Sequence, residues 1–196
     1  MSNALDNPAL DLIFREARTR NGWVEETLPE SALREIYDLA KMGPTSANIS
    51  PARFVWVTSK EGKEKLAALA MPGNDQKILK APVTVIIGYD LDFPEHIPHL
   101  FPHNPGAKDW IGDPVFRESA GFRNGTLQGA YLMIAARALG YDCGPMSGFS
   151  NDGVDAAFFA GTRIKSNFIC SIGHGTDENL FARSPRLAFE VANRIV

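Results

Sequence analysis

Apolar positions recur with a helical period near the N-terminus and through the second half of the chain, and strand-like apolar runs lie between. Ala9, Leu10, Ile13, Phe14 and Ala17 share one helical face, and Asn7 followed by Pro8 reads as an N-cap with proline in the first turn. A second helix is predicted after Pro29, with Leu33, Ile36, Tyr37 and Ala40 on one side and Gly43 as its stop. Arg53–Thr58 is rich in β-formers and reads as a strand, after which Ser59 caps a Lys/Glu/Ala helix to about Ala70. Residues 82–88, Pro-Val-Thr-Val-Ile-Ile-Gly, make the clearest strand, apolar enough to be covered on both faces. The longest helical pattern runs from Pro114 to Leu139 and stops at Gly140. Ser150 caps a short helix to about Ala160, Asn167–Ile172 reads as a third strand, and Ser184-Pro185 opens a C-terminal helix.

Two features interrupt this pattern. Residues 91–113 hold four prolines, three of the four histidines, and Phe93, Phe101 and Trp110. The stretch is too long for a plain connection, and its aromatics predict an ordered lid rather than a linker. Within the long helix Gly121, Gly125 and Gly129 are four apart and share a face. Each costs about 1 kcal/mol in a helix interior, so the stripe predicts close approach of another backbone, read here as a helix–helix contact between subunits. Few strands separated by many helices imply an α+β fold, layered α/β/α, in one domain over residues 1–196.

Composition narrows the function without choosing it. With 196 residues, 44% hydrophobic and 22% charged, the chain falls near the globular average, which excludes disordered and fibrous classes. A net charge of −3 leaves no electrostatic footprint for nucleic acid. Two cysteines, Cys143 and Cys170, cannot build a disulfide framework and suit a reducing cytoplasm as small buried residues. No basic region followed by an apolar run marks a signal peptide, and Ala130–Ala136 is too short to span a bilayer, so a cytoplasmic protein without a membrane segment is expected.

Several strong motifs are missing: GxxxxGK[ST], HExxH, CxxC and GxSxG. Gly173-His-Gly175 starts a dinucleotide fingerprint, but Glu178 takes the third glycine position. His96, His99 and His103 have neither a nearby cysteine nor an i,i+4 pairing, so no metal is expected.

Four polar segments punctuated by Gly or Pro carry more. They are Ala17–Trp23 (ARTRNGW), Gly43–Pro51 (GPTSANISP), Gly73–Lys77 (GNDQK) and Gly144–Phe149 (GPMSGF). Guanidinium forks beside short hydroxyls match phosphate oxygens, and Asn, Ser and open backbone match the edge of a heterocycle. Each segment alone also reads as turn chemistry, and their joint order is the signal.

In that order the sequence resembles the FMN-dependent nitroreductase family from about Arg18 to Arg186. The landmarks are Arg18-Thr19, Pro44-Thr-Ser-Ala-Asn48 with Pro51, Gly73-Asn74-x-x-Lys77 before an Ala-Pro and Val/Ile strand, Ala135-Ala-Arg-Ala-Leu-Gly140, Gly144–Phe149, and Arg186 four residues before Glu190. Within the family the chain is most similar to the branch that reduces malonic semialdehyde in pyrimidine utilisation. Asn21-Gly-Trp23, Ser50-Pro-Ala-Arg53, Leu100-Phe-Pro-His103 and Arg183-x-Pro-Arg-Leu187 carry that closer likeness.

The resemblance implies a nitroreductase-like fold, with a mostly antiparallel sheet flanked by helices, in an intertwined homodimer that binds FMN at the subunit interface. It implies NADH or NADPH as co-substrate and ping-pong turnover through flavin N5, delivering hydride to a small aldehyde. Carried over by position, Arg18, Thr19 and Arg186 hold the phosphate, and Asn74 and Lys77 meet the ribityl chain or pyrimidine ring. Pro145, Met146, Ser147 and Gly148 lie along the isoalloxazine, and Thr45, Ser46 and Asn48 come from the other subunit. The family often has basic residues where Ala17, Asn21 and Ser184 stand, with Arg20 and Arg183 near enough in sequence to substitute. It often has Glu at Ser147. A carboxylate substrate needs a cation, for which Arg53 and His103 are the candidates, and His103 or solvent supplies the proton. A broad nitro- or quinone reductase and a flavin-binding protein without turnover are the competing readings.

Overall fold

The computed structural model describes residues 4–196. Asp6, not Asn7, caps the first helix: its carboxylate accepts from the Ala9 amide at 2.9 Å, with Pro8 in the first turn of α1 (Asn7–Leu10). A π-helical turn continues it over Asp11–Arg15. Then come β1 (Gly22–Trp23), α2 (Glu30–Ala40), β2 (Ala52–Val57), α3 (Lys60–Ala67), α4 (Asn74–Lys80) and β3 (Val83–Asp90). The second half holds α5 (Ile97–Leu100), α6 (Pro114–Ala138), β4 (Asp142–Met146), α7 (Asn151–Phe158), β5 (Ile164–Gly173), β6 (Gly175–Thr176) and α8 (Phe189–Ala192).

The main sheet is antiparallel in the order β2-β3-β5-β4, and β1 pairs with β6 in a separate two-stranded ribbon. β3 is central and buried from Val83 to Tyr89, as its largely apolar run requires, and the buried Thr84 hydroxyl is matched by Ser171 Oγ at 2.9 Å. Its period-2 alternation divides the core. Val83, Val85 and Ile87 pack with Leu33 and Ile36 of α2 and Leu132, Ala135 and Ala136 of α6, while Ile86 packs on the other face with Leu66 of α3, Ile78 of α4 and Val154 of α7. The result is the expected α+β arrangement of helix, sheet and helix layers.

The glycine stripe has a different partner from the expected one. Cβ atoms at Gly121 and Gly125 would each come within 3.0 Å of Tyr89, and one at Gly129 within 2.5 Å of the Phe168 ring. The stripe lets α6 settle onto β3 and β5 of its own sheet, so close packing within one chain explains it and no second subunit is needed there. Residues 91–113 are ordered as short helical turns around α5, and Phe93, Ile97, Ala107 and Ile111 enclose a third core with Ile49.

Two further expectations change. The segment 142–146 is a strand despite its Gly and Pro, because it is a sheet edge, the place in a sheet where proline is tolerated. No helix opens at Ser184-Pro185: residues 181–188 run without regular structure, and Arg18 and Arg183 tie down the segment by bonding to the Phe181 and Ala17 carbonyls. Only the single turn α8 follows.

Candidate functional site

Behind the first helical segment the chain becomes extended. Thr19 bridges Cys143 of β4, and the Arg20 amide donates to the Cys143 carbonyl at 3.1 Å. Arg18 turns into a cavity of about 510 Å³ that also receives Thr19, Lys77, Arg137, Arg183 and Arg186, and among the described residues no carboxylate lines it. Arg20 turns away and is spent on structure: it pairs with Asp177 at 2.6 Å and Asp142 at 3.4 Å and donates to the Thr176 carbonyl. Burial pushes its pKa down, but the two aspartates outweigh that and hold it above its ordinary value. Arg20 is therefore removed from the set expected to meet a phosphate.

Lys77, Asn21 and Phe181 also line an adjoining recess with Asn74. There the Lys77 ammonium donates to Asn74 Oδ1 at 3.3 Å, and Asn74 Nδ2 donates to the Gly148 carbonyl at 3.1 Å. A Cβ on Gly148 would sit 2.7 Å from Asn74 Nδ2, so only glycine admits this junction. On the other side of Gly148, Pro145, Met146 and Ser147 border a mostly apolar recess of about 310 Å³ with Thr126, Ala130, Met133 and Phe168. Met146 itself is core, 8% exposed, and packs with Ile86 and Ile169, so its side chain serves the fold first. The sequence segments around Arg18 and Asn74 thus meet in one chain as a cationic trough, and the bond from Asn74 to the Gly148 carbonyl ties it to the segment that borders the apolar recess.

Thr45, Ser46 and Asn48 do not line this trough. They occupy a turn in which Ala47, Asn48 and Ser50 all hold left-handed φ values of 46°, 51° and 38°. For side chains other than glycine such a run costs free energy and persists only where its surroundings impose it. They do so through α6: Asn124 Oδ1 accepts from the Ser46 amide and Gln128 Oε1 from the Ala52 amide, both at 2.8 Å. Asn48 Nδ2 donates to the Leu100 carbonyl at 2.8 Å, which joins the turn to the 91–113 segment. Ser46 and Asn48 remain exposed.

Arg53 and His103 do not provide the expected substrate contacts within one chain. The Arg53 guanidinium is engaged by Asp90 at 2.8 Å and by the Ser50, Pro51 and Ala52 carbonyls, which leaves it no free charge to offer. His103 is exposed, stacked on Phe101 with ring centroids 3.8 Å apart. The described residues contain no group of three His, Cys, Asp or Glu placed to hold a metal ion. Arg137, Asn124 and Gln128 were not among the expected site residues. The last two were legible as buried amides four apart on an otherwise small-residue helix face, whereas nothing local marks Arg137.

A layered α+β fold carries, beside an edge strand, a cationic cavity that no carboxylate lines among the described residues, an environment that suits an anionic small molecule. Residues 23–174 match the model of the nitroreductase family, and the chain belongs to it. A Caulobacter protein (strain K31) named "Putative NADH dehydrogenase/NAD(P)H nitroreductase" is 63% identical over 192 residues, 98% of each chain. A Stenotrophomonas maltophilia protein (strain R551-3) of the same name is 59% identical over 196 residues, the full length of both. Among solved structures, an Exiguobacterium sibiricum protein in complex with FMN has a TM-score of 0.87 at 20% identity, covering 100% of this chain and 99% of that one. An enone reductase of gut-bacterial fatty acid saturation has a TM-score of 0.84 at 16% identity, covering 98% and 100%. Both share the fold.

Proposed function

We propose that the chain, as one domain over residues 1–196, is an FMN-dependent oxidoreductase that uses NADH or NADPH to reduce a small aldehyde, malonic semialdehyde to 3-hydroxypropanoate. The observation that carries the cofactor reading is the cavity of Arg18, Lys77, Arg137, Arg183 and Arg186 without a carboxylate. Cations gathered without counter-charge repel one another, and a phosphate dianion relieves that repulsion while matching the guanidinium forks and the Thr19 hydroxyl. Asn74, Lys77 and the Gly148 junction lie where polar groups of a ribityl chain and ring edge would follow, and the apolar recess beside Pro145 and Ser147 suits a flat ring. Bound FMN supplies the hydride relay between nicotinamide and acceptor. The chain's residues hold the phosphate, orient the ring and keep one side of it dry.

The functional unit is a homodimer. Thr45, half-buried, and Ser46 and Asn48, exposed, stand outside the trough on a turn that the protein strains to maintain, which suits donation to a second copy's site. Phe116 and Leu127 on the outer side of α6 are each close to half exposed, apolar positions suited to burial between subunits. The outer edge of β2 and the exposed apolar tail residues Phe189, Val191 and Ile195 suit an intertwined arrangement.

The aldehyde reading rests on the sequence segments that resemble the semialdehyde-reducing branch. The names of relatives near 60% identity favour a second reading, a nitro- or quinone reductase of broad specificity. Steady-state comparison of malonic semialdehyde, nitroaromatic and quinone acceptors separates them. The proposal expects the highest kcat/KM for the semialdehyde, and faster turnover of nitroaromatics would replace it with the second reading. Tight FMN binding without hydride transfer to any of these acceptors would leave a flavin-binding protein without turnover.

A further inference from the structure

Among the cations of the trough, Arg137 has a donor buried without an acceptor. Arg137 sits in the last turn of α6 and lines the same cavity as Arg18, Thr19, Lys77, Arg183 and Arg186. The other cations have acceptors already. Arg18 bonds the Phe181 carbonyl, Arg183 the Ala17 carbonyl, Arg186 the Ser184 and Pro185 carbonyls, and Lys77 Asn74 Oδ1. Arg137 makes a single long contact, Nη1 to the Ile13 carbonyl at 3.4 Å. Its Nε is buried with no acceptor, and no carboxylate pairs with the guanidinium among the described residues. A guanidinium has five donors in a planar fork, and leaving one of them buried and unmatched costs free energy that a ligand anion would recover.

We propose that Arg137 is a direct ligand of the cofactor's phosphate, supplied from α6 to the site that Arg18, Thr19 and Arg186 face. This rests on the FMN reading above and deepens it by naming the residue that distinguishes a phosphorylated flavin from an unphosphorylated one. The competing role is structural: a cation at a helix C-terminus is favourable in its own right, and the aliphatic stem packs wherever it lies. A structural role acts on every flavin alike, whereas a phosphate ligand acts only on FMN.

The test is therefore a pair of titrations. The full-length, flavin-stripped protein is titrated with FMN and with riboflavin, following flavin fluorescence, for the parent and for Arg137→Met and Arg137→Lys. Arg137→Met keeps the stem and loses the charge; Arg137→Lys keeps the charge and loses the fork. Circular dichroism reports whether each variant is folded. The expected result is that Arg137→Met weakens FMN by about tenfold or more, the scale of a lost charge-assisted bond, with riboflavin affinity unchanged. Arg137→Lys recovers part of the FMN loss. Equal weakening of both flavins, or of neither, in the folded variants overturns the assignment and leaves the FMN reading standing. A parent protein that binds neither flavin overturns both.

Discussion

Arg18 and Arg20 show how one residue's neighbours decide its use. Both stand in the same basic segment, yet Arg18 lines the cavity while Arg20 pairs with Asp142 and Asp177. Nothing within the segment separates them; the carboxylates that claim Arg20, Asp142 and Asp177, are distant in sequence. Arg20→Ala is expected to cost about 1–3 kcal/mol of stability in urea unfolding, because two carboxylates lose their partner, with no change in FMN preference over riboflavin. Arg18→Ala is expected to do the reverse. The same scale sets an acid limit. Burial pushes the Glu26 carboxyl up, but bonds from the His174 amide and ring outweigh it and hold the group below its ordinary 4.5. A depressed carboxyl pKa gives stability that is fully present above the ordinary value and is lost as pH falls through the lowered one. Unfolding midpoints should therefore decline as pH drops below 4.5, and Glu26→Gln should flatten that decline.

At the scale of elements, α6 does three jobs with three sets of positions. Gly121, Gly125 and Gly129 lower it onto the sheet, Asn124 and Gln128 fasten the strained turn, and Arg137 reaches the cationic cavity. Gly129→Ala tests the first. Its Cβ would meet the Phe168 ring at 2.5 Å and Ile87 at 3.2 Å. Overpacking of about 1–3 kcal/mol should exceed the ~1 kcal/mol that alanine gains in helix propensity, so a lower urea midpoint is expected. The period of α6 and the need for close approach at its glycines were legible in the sequence, as were β3 and the Ser59 and Ser150 caps. The identity of the approaching backbone was not, because the pattern of small residues is the same whether a helix, a strand or another subunit lies against it. β4 was illegible for a related reason: Gly144 and Pro145 oppose strand formation locally, and only pairing with β5 overrides them. Asp6 displaced Asn7 as a cap although both are good capping residues, a choice that rests on geometry rather than residue type.

At the scale of the molecule, the cationic trough around Arg18 and Asn74 and the apolar recess beside Pro145 both lie within one chain, while Thr45, Ser46 and Asn48 line neither. That separation is the reason to expect two copies. Sedimentation equilibrium should return about twice the 21.4 kDa chain mass, and a monomer that binds FMN with full affinity would remove the role given to the turn. The order of the segments made the candidate site around Arg18 and Asn74 readable from sequence; Arg53 and His103 stand apart from it, because Arg53 is consumed by Asp90 and His103 lies at the surface. FMN carriage and acceptance of reducing equivalents from a nicotinamide are read together from the visible spectrum of the purified protein under anaerobic titration with NADH or NADPH. A yellow protein with one FMN per chain is expected, bleaching on titration and regaining its colour when an acceptor is added. A colourless protein that takes up no added FMN, or a yellow one that neither nucleotide bleaches, would contradict this expectation.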